Sequence, residues 1–250
     1  MIITRKAWQH YIDLLRKLND SAAEEMIRFQ KKLEERGVTG DEAARILVEY
    51  AYQVATKYGE GATAAACEMY DAVATLSKAA APAAVPAPTA TYGETAKAVY
   101  GTLNQSPEVV PSAVGRLVKM AGVDTIMRNA IRDGAEWAWV PSGDTCAFCI
   151  TLASRGWQRA STAQLKGGHA EHIHANCDCT FAIRFNGKTN VEGYDPSKYE
   201  SMYYGAEGST PEQRINSMRR QMYQRNKDEI NAQKREAYRR RTEDKSTADQ

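Results

Sequence analysis

The sequence places Cys146-x-x-Cys149 ahead of a second cluster, His174-x-x-Cys177-x-Cys179. Four of the chain's five cysteines fall within thirty-four residues, beside three of its four histidines. A two-residue spacer lets two thiolates reach one ion from a single tight turn, and a second pair from a distant segment completes a tetrahedron. The spacing therefore points to one structural zinc site. Five candidates compete for its four positions: Cys146, Cys149, His174, Cys177 and Cys179. An extended chain through Cys177 and Cys179 puts both on one face, whereas His-x-x-Cys spacing couples His174 with Cys177, and spacing alone leaves that choice open. Such a closed, thiolate-rich site contributes on the order of 10 kcal/mol or more of folding free energy. That is enough to hold a loop-rich segment between residues 141 and 180. The competing reading of the same cysteines is a disulfide or a set of buried thiols, which a reducing compartment disfavours. Cys67, in the small-residue stretch GATAAACEMYDAV, reads as a buried small hydrophobe.

The residues around the cysteines include side chains able to do catalysis. His169 and His172 read as exposed loop residues, or as hydrogen-bond partners of a ligand. His169-Ala170-Glu171 matches the His-x-Glu of zinc deaminases, but in those enzymes Cys-x-x-Cys follows that motif, and here it precedes it. A zinc-supported nuclease using His169 or His172 as general base, beside Glu171, lacks an acidic metal cluster for the second role. The chain carries no Gly-x-Ser-x-Gly, no P-loop and no Gly-x-Gly-x-x-Gly. The expectation is a protein that is not an enzyme, with a zinc-dependent nucleic-acid enzyme and a zinc-binding adaptor as the alternatives.

The elements that must position these residues are mostly helical. Residues 4–36 read as a long amphipathic helix, with Trp8, Tyr11, Ile12, Leu15 and Leu18 at helical spacing and Met26, Phe29 and Leu33 continuing the stripe. Thr39-Gly40-Asp41-Glu42 matches a capping box before a second helix. Gly59–Gly61 reads as a break before a third. Proline at 82, 86 and 88 makes residues 79–91 a linker or flexible excursion, and a domain boundary is expected there. Tyr92–Gln105 and Ser112–Met120 read as helices, and Asp124 as the N-cap of another. Glu136–Pro141 is β-prone. Residues 177–185 read as a strand, with Phe181, Ile183 and Phe185 continuing the cysteine face. The expected division is thus 1–78, a helical region; 79–91, the linker; 92–190, a zinc-binding module; 191–208, a connecting loop; and 209–250, a basic helix and tail. The expected fold class is mainly α with a small zinc-stapled α+β module.

Hydrophobic residues at 43% and charged residues at 26% suit a globular protein, and no apolar run approaches the roughly 20 residues that span a bilayer. The N-terminal MIITRKAWQHYIDLL lacks a signal peptide's apolar core, so a cytosolic origin is expected. A net charge of +2 makes the whole chain no polyanion binder. The sign is uneven, however: residues 211–250 hold eleven Lys/Arg against seven Asp/Glu. The last helix, starting at Ser209-Thr210-Pro211-Glu212, has only Ile215, Met218, Met222 and Tyr223 as a thin apolar stripe. It wants a partner to stay folded along its length.

Asp144-Thr145-Cys146-Ala147-Phe148-Cys149 through Ser154-Arg155-Gly156, followed by His174-Ala175-Asn176-Cys177-Asp178-Cys179, resembles the MuF-like minor head (minor capsid) proteins of tailed bacteriophages. Pro141-Ser142-Gly143 supplies the turn that precedes the first pair in that pattern, and Thr180–Phe185 the strand that ends it. The resemblance spans roughly residues 92–190. It implies a structural protein of the virion head, made in the host cytoplasm. Its implied place is the portal vertex, where it associates with the portal or major capsid protein and assists head assembly or DNA delivery. The basic C-terminal helix adds packaged DNA as a further expected partner. Some relatives carry a fused toxin domain, which is not expected in the roughly 60 residues after the module.

Overall fold

The computed structural model describes residues 1–103, 109–143, 145–162 and 179–248. Helix accounts for 69% of the structure, which makes the protein mainly α with a small sheet. The chain divides into two compact units, Met1–Gly143 with Arg155–Asp195, and Asp144–Ser154 with Pro196–Gln250.

The first unit is built on three long helices. Helix α1 (Arg5–Glu35) begins where the Thr4 side chain accepts the Ala7 N–H at 3.3 Å. It ends in a Gly37 turn, in which Gly37 N–H donates to the Glu34 carbonyl and Val38 N–H to the Leu33 carbonyl. Its buried face is the stripe legible in the sequence: Trp8, Tyr11, Ile12, Met26 and Leu33, with Leu15, Leu18 and Phe29 packed partly against the core. Helix α2 (Gly40–Leu76) is a single 37-residue rod. The capping box expected at Thr39 does not form, because the Thr39 side chain makes no cap bond; Asp41 and Glu42 sit in the first turn, where their charge suits the helix dipole. The break expected at Gly59–Gly61 is absent as well. These glycines serve contact rather than flexibility. A Cβ on Gly59 would lie 2.9 Å from Thr89 Cγ2, and one on Gly61 would lie 3.0 Å from Leu18 Cδ2.

Helix α3 (Tyr92–Leu103) lies beside helix α4 (Val110–Asp133). The sequence suggested two helices in the α4 region, the second capped by Asp124, but one helix runs straight through. It is apolar on nearly every side and so occupies the centre, packed on α1, α2 and α3. A Cβ on Gly122 would meet the Ala62 carbonyl oxygen at 3.2 Å, so this glycine sets how closely α4 approaches α2. Gly134, in the left-handed region at φ 65°, ends α4.

Residues 79–91 are not the expected flexible linker, and no unit boundary falls there. Prolines 82, 86 and 88 remove three backbone donors. Three of the donors that remain are taken up by side chains. Ala84 N–H donates to Asp71 at 2.8 Å, Val85 N–H to Asn129 Oδ1 at 2.9 Å, and Ala87 N–H to Thr125 at 3.0 Å. Asn129 Nδ2 returns a bond to the Val85 carbonyl at 2.8 Å, and Arg132 donates to the carbonyls of Pro82 and Ala83. The stretch is a strap tied along α2 and α4, and it joins helices of one body.

Strand β1 (Ile2–Ile3) precedes α1. The β-prone stretch forms β2 (Glu136–Val140), flanked by β3 (Gln158–Arg159) and β4 (Thr180–Arg184) in an antiparallel sheet of order β3-β2-β4. Trp139 faces Phe181, and Glu136 faces Arg184 across the β2–β4 register. Phe181 sits edge-on between Trp137 and Trp139, at 4.6 and 4.8 Å. Both faces of β4 are covered, since Thr180, Phe181, Ala182 and Ile183 are all at most 1% exposed. Beyond it, Phe185 meets Tyr70 of α2 edge-on. Strand β5 (Asn190–Val191) pairs in parallel with β1.

The second unit contains α5 (Ala147–Ala153), α6 (Pro196–Tyr204) and α7 (Pro211–Ala248). Residues 191–208, expected as a connecting loop, thus contain a nine-residue helix. The core of the unit is Ala147, Ile150, Ala206 and Met218, with Tyr199, Tyr203, Ile215 and Met222 against it. These tyrosines of α6 give the segment a reason to be helical, because they close the apolar face of α7. Only the first three turns of α7 contribute to this core.

Candidate metal centre

Cys146 is the N-cap of α5. Its backbone is extended (φ −72°, ψ 163°), and its Sγ accepts the N–H of Cys149 at 3.5 Å. That bond fixes the position of the sulfur at the helix start. Cys149 lies within the first turn of the same helix and is 1% exposed, while Cys146 is half-buried. Both residues of the pair thus stand at the start of one helix. Cys179 immediately precedes β4 and is fully buried. Its thiol lies 4.0 Å from the Ser142 carbonyl, just after β2. None of Cys67, Cys146, Cys149 and Cys179 is bridged in a disulfide.

His174 and Cys177, together with His169, Glu171 and His172, lie outside the described residues. Among the described residues no group of three or more His, Cys, Asp or Glu side chains gathers around a point that could hold an ion. The first pair nevertheless fits a thiophilic ion by its donor chemistry: reduced sulfurs on a backbone turn that already supplies a hydrogen bond to one of them. Cys67, expected as a buried small hydrophobe, is less enclosed than that. It is half-buried on α2, and burial followed by the neighbouring Asp71 carboxylate pushes its thiol upward, away from thiolate.

Two charged knots that sequence reasoning did not single out brace the helices. The Glu25 carboxylate accepts bonds from Lys57 Nζ at 2.9 Å, Tyr58 Oη at 2.8 Å and Tyr50 Oη at 3.1 Å. The Lys57 bond, more than the two tyrosines, holds Glu25 below the usual carboxylate range. At the end of α4, Asp133 takes two bonds from Arg132, both at 2.7 Å, and one from the buried Tyr70 at 2.8 Å. Arg132 is the main cause of its lowered pKa. Burial, then Asp133, raises the Tyr70 phenol. In sequence these groups lie 32 and 63 residues apart or adjacent on one helix, so no short motif announces them. A third group was read differently: Asp124, taken as a helix cap, instead lies half-buried in mid-helix on the wall of a cleft.

Fold and site together define a mainly helical protein with a small buried sheet and a cysteine-capped helix. The chain belongs to the VG15 protein family, whose model matches residues 2–206. That is a family of viral gene proteins, and this chain is accordingly a viral gene product. No curated protein and no solved structure matches the chain. Among the described residues, no helix is long and apolar enough to cross a membrane.

Proposed function

We propose that this protein is a minor capsid (head morphogenesis) protein of a tailed phage, a structural component of the virion head that acts at the portal vertex and catalyses no reaction. Its partners on this reading are the portal or major capsid protein. A single zinc ion, held by four of Cys146, Cys149, His174, Cys177 and Cys179, stabilises its shape. The observation that carries the reading is a coincidence in the chain: the whole paired Cys/His motif lies inside the segment 2–206 that belongs to a viral gene family. The capping geometry of Cys146 supports the metal part, since that sulfur already accepts the Cys149 N–H. When bound, zinc would supply a closed structural cross-link and no open coordination position.

The outer part of α7 supports a second contact, with packaged DNA. Residues 219–241 carry nine Lys/Arg and three Asp/Glu, and Arg219, Arg225, Lys227, Lys234 and Arg235 are all exposed. A helix so charged, with no apolar stripe of its own, matches a phosphate backbone better than a protein core. The deciding experiment is mass spectrometry of purified virions, with metal analysis of the isolated chain. The reading expects the protein in mature heads, with close to one zinc per chain. Its absence from particles, together with a metal-free chain that is fully folded, would overturn it.

A further inference from the structure

A cleft of about 740 Å³ opens in the first unit between α3, the end of the strap and α4, within the roughly 300–1,000 Å³ usual for ligand sites. Leu117 and Met120 form part of its wall, and Lys97, Arg116, Asp124 and Arg128 bring charge to it. Glu94 also faces it, but that carboxylate is committed to the start of α3, accepting the Thr91 N–H and hydroxyl at 2.8 Å each. Asp124 is different. It is half-buried, and among the described residues its carboxylate receives no hydrogen bond and no ion pair; Arg128, one turn on, acts on it only at longer range. Lys97 and Arg128 are exposed, and among the described residues neither forms an ion pair. A carboxylate partly screened from water and given no donor by the protein is incompletely satisfied. An occupant that brings donors to Asp124 and negative charge to the two cations relieves both deficits at once.

We propose that this cleft docks an acidic peptide segment of a partner protein. Backbone N–H groups of the segment donate to Asp124, its side-chain carboxylates meet Lys97 and Arg128, and its apolar side chains lie on Leu117 and Met120. The combination selects among occupants. A simple anion or a nucleic-acid phosphate offers only acceptors, and Asp124 repels it. An extended peptide alternates donors with carboxylates, which is the pattern the cleft presents. This inference deepens the structural-protein reading by giving the chemistry of a partner, and it is independent of the metal.

The test uses the full chain and a fluorescent eight-residue peptide of alternating leucine and acidic residues carrying a benzophenone, against the same peptide with Asn and Gln in place of Asp and Glu. The acidic peptide should bind about tenfold or more tightly than its amide twin, and light should attach it at Met120. Lys97→Glu with Arg128→Glu should weaken binding by about tenfold or more, as two lost charge contacts require. Should that double variant misfold, Lys97→Gln with Arg128→Gln carries the same expectation in milder form. Equal affinity for the two peptides, displacement by citrate at matching concentrations, or attachment confined to α7 would each overturn the proposal. Failure here leaves virion incorporation and zinc content unaffected, so it is separable from failure of the function proposed above.

Discussion

Replacing Asn129 with alanine tests whether residues 79–91 are a fastened strap or a loose connector. Asn129 is 2% exposed and makes three side-chain bonds. Two go to Val85, at 2.9 and 2.8 Å, and one goes to the Thr125 carbonyl at 2.7 Å. The third matters least, because that carbonyl stays inside α4. Each strap bond is worth about 1 kcal/mol net, and a group left buried without a partner costs about 1–3 kcal/mol. The Val85 side chain is 60% exposed, so water can reach its backbone and the cost falls toward the lower end. Asn129→Ala should therefore destabilise the protein by about 2 kcal/mol, and Thr125→Val, which removes the Ala87 bond and the hydroxyl's own bond to the Ala121 carbonyl within α4, by about 1 kcal/mol. Urea denaturation measures both. Amide exchange at Ala84, Val85 and Ala87 supplies the local reading, since protection there should collapse in Asn129→Ala while α1 keeps its own. A loss under about 0.5 kcal/mol, with exchange at these three amides already fast in the parent protein, would refute the strap.

Further outcomes follow from the charged knots and the cysteines. Glu25 and Asp133 titrate below their unfolded values, so the folded state binds fewer protons than the unfolded state in the acid range. Their stabilisation is complete above the ordinary carboxylate range, near pH 4, and is lost as pH falls through their lower folded values. Glu25→Gln should flatten the acid limb of a denaturation-versus-pH curve. Asp124 has the opposite sign, because burial raises its pKa and the charged form is the costly one. Asp124→Asn should accordingly leave stability at neutral pH unchanged or higher, measured by the same denaturation; a clear loss would contradict its being unsatisfied. Cys146→Ser should lower zinc content and thermal stability together, read by metal analysis and by melting with and without chelator. Ending the chain after Gln224 should leave the fold intact and remove most DNA binding. In the full chain, log affinity should fall with log salt at a slope of about 0.9 per phosphate contacted.

How much of this was legible in the sequence depends on how local the cause is. The α1 stripe, the β-prone Glu136–Val140 and the proline start of α7 rest on periodicity and capping within a few residues, and all three are seen. The misreadings share one cause. Gly59 and Gly61 weaken a helix considered alone, yet each is where a side chain of another element, Thr89 or Leu18, packs close to where a Cβ would stand. Prolines 82, 86 and 88 do forbid helix, but the acceptors that hold the strap come from Asp71, Thr125 and Asn129, up to 44 residues away. Residues 191–208 looked like loop because their helix has no buried residue of its own, and it forms by covering α7.

The same distinction separates the two halves of the candidate metal centre. The Cys146–Cys149 half is local: a spacer of two residues at a helix start, where Cys146 caps α5. The choice among His174, Cys177 and Cys179 is non-local and depends on tertiary geometry that no spacing encodes. Chemistry still orders the outcomes. If Cys177 and Cys179 complete the site with the first pair, His174→Ala should leave metal stoichiometry near one, whereas Cys179→Ser should release the ion. If His174 is a ligand, its replacement should lower affinity and shift the absorption of a cobalt-substituted site, because exchanging an imidazole for water changes the ligand field while the thiolate charge-transfer bands persist. Identical metal content and identical spectra in all five single variants would remove the site altogether, since no four-ligand set tolerates the loss of any member.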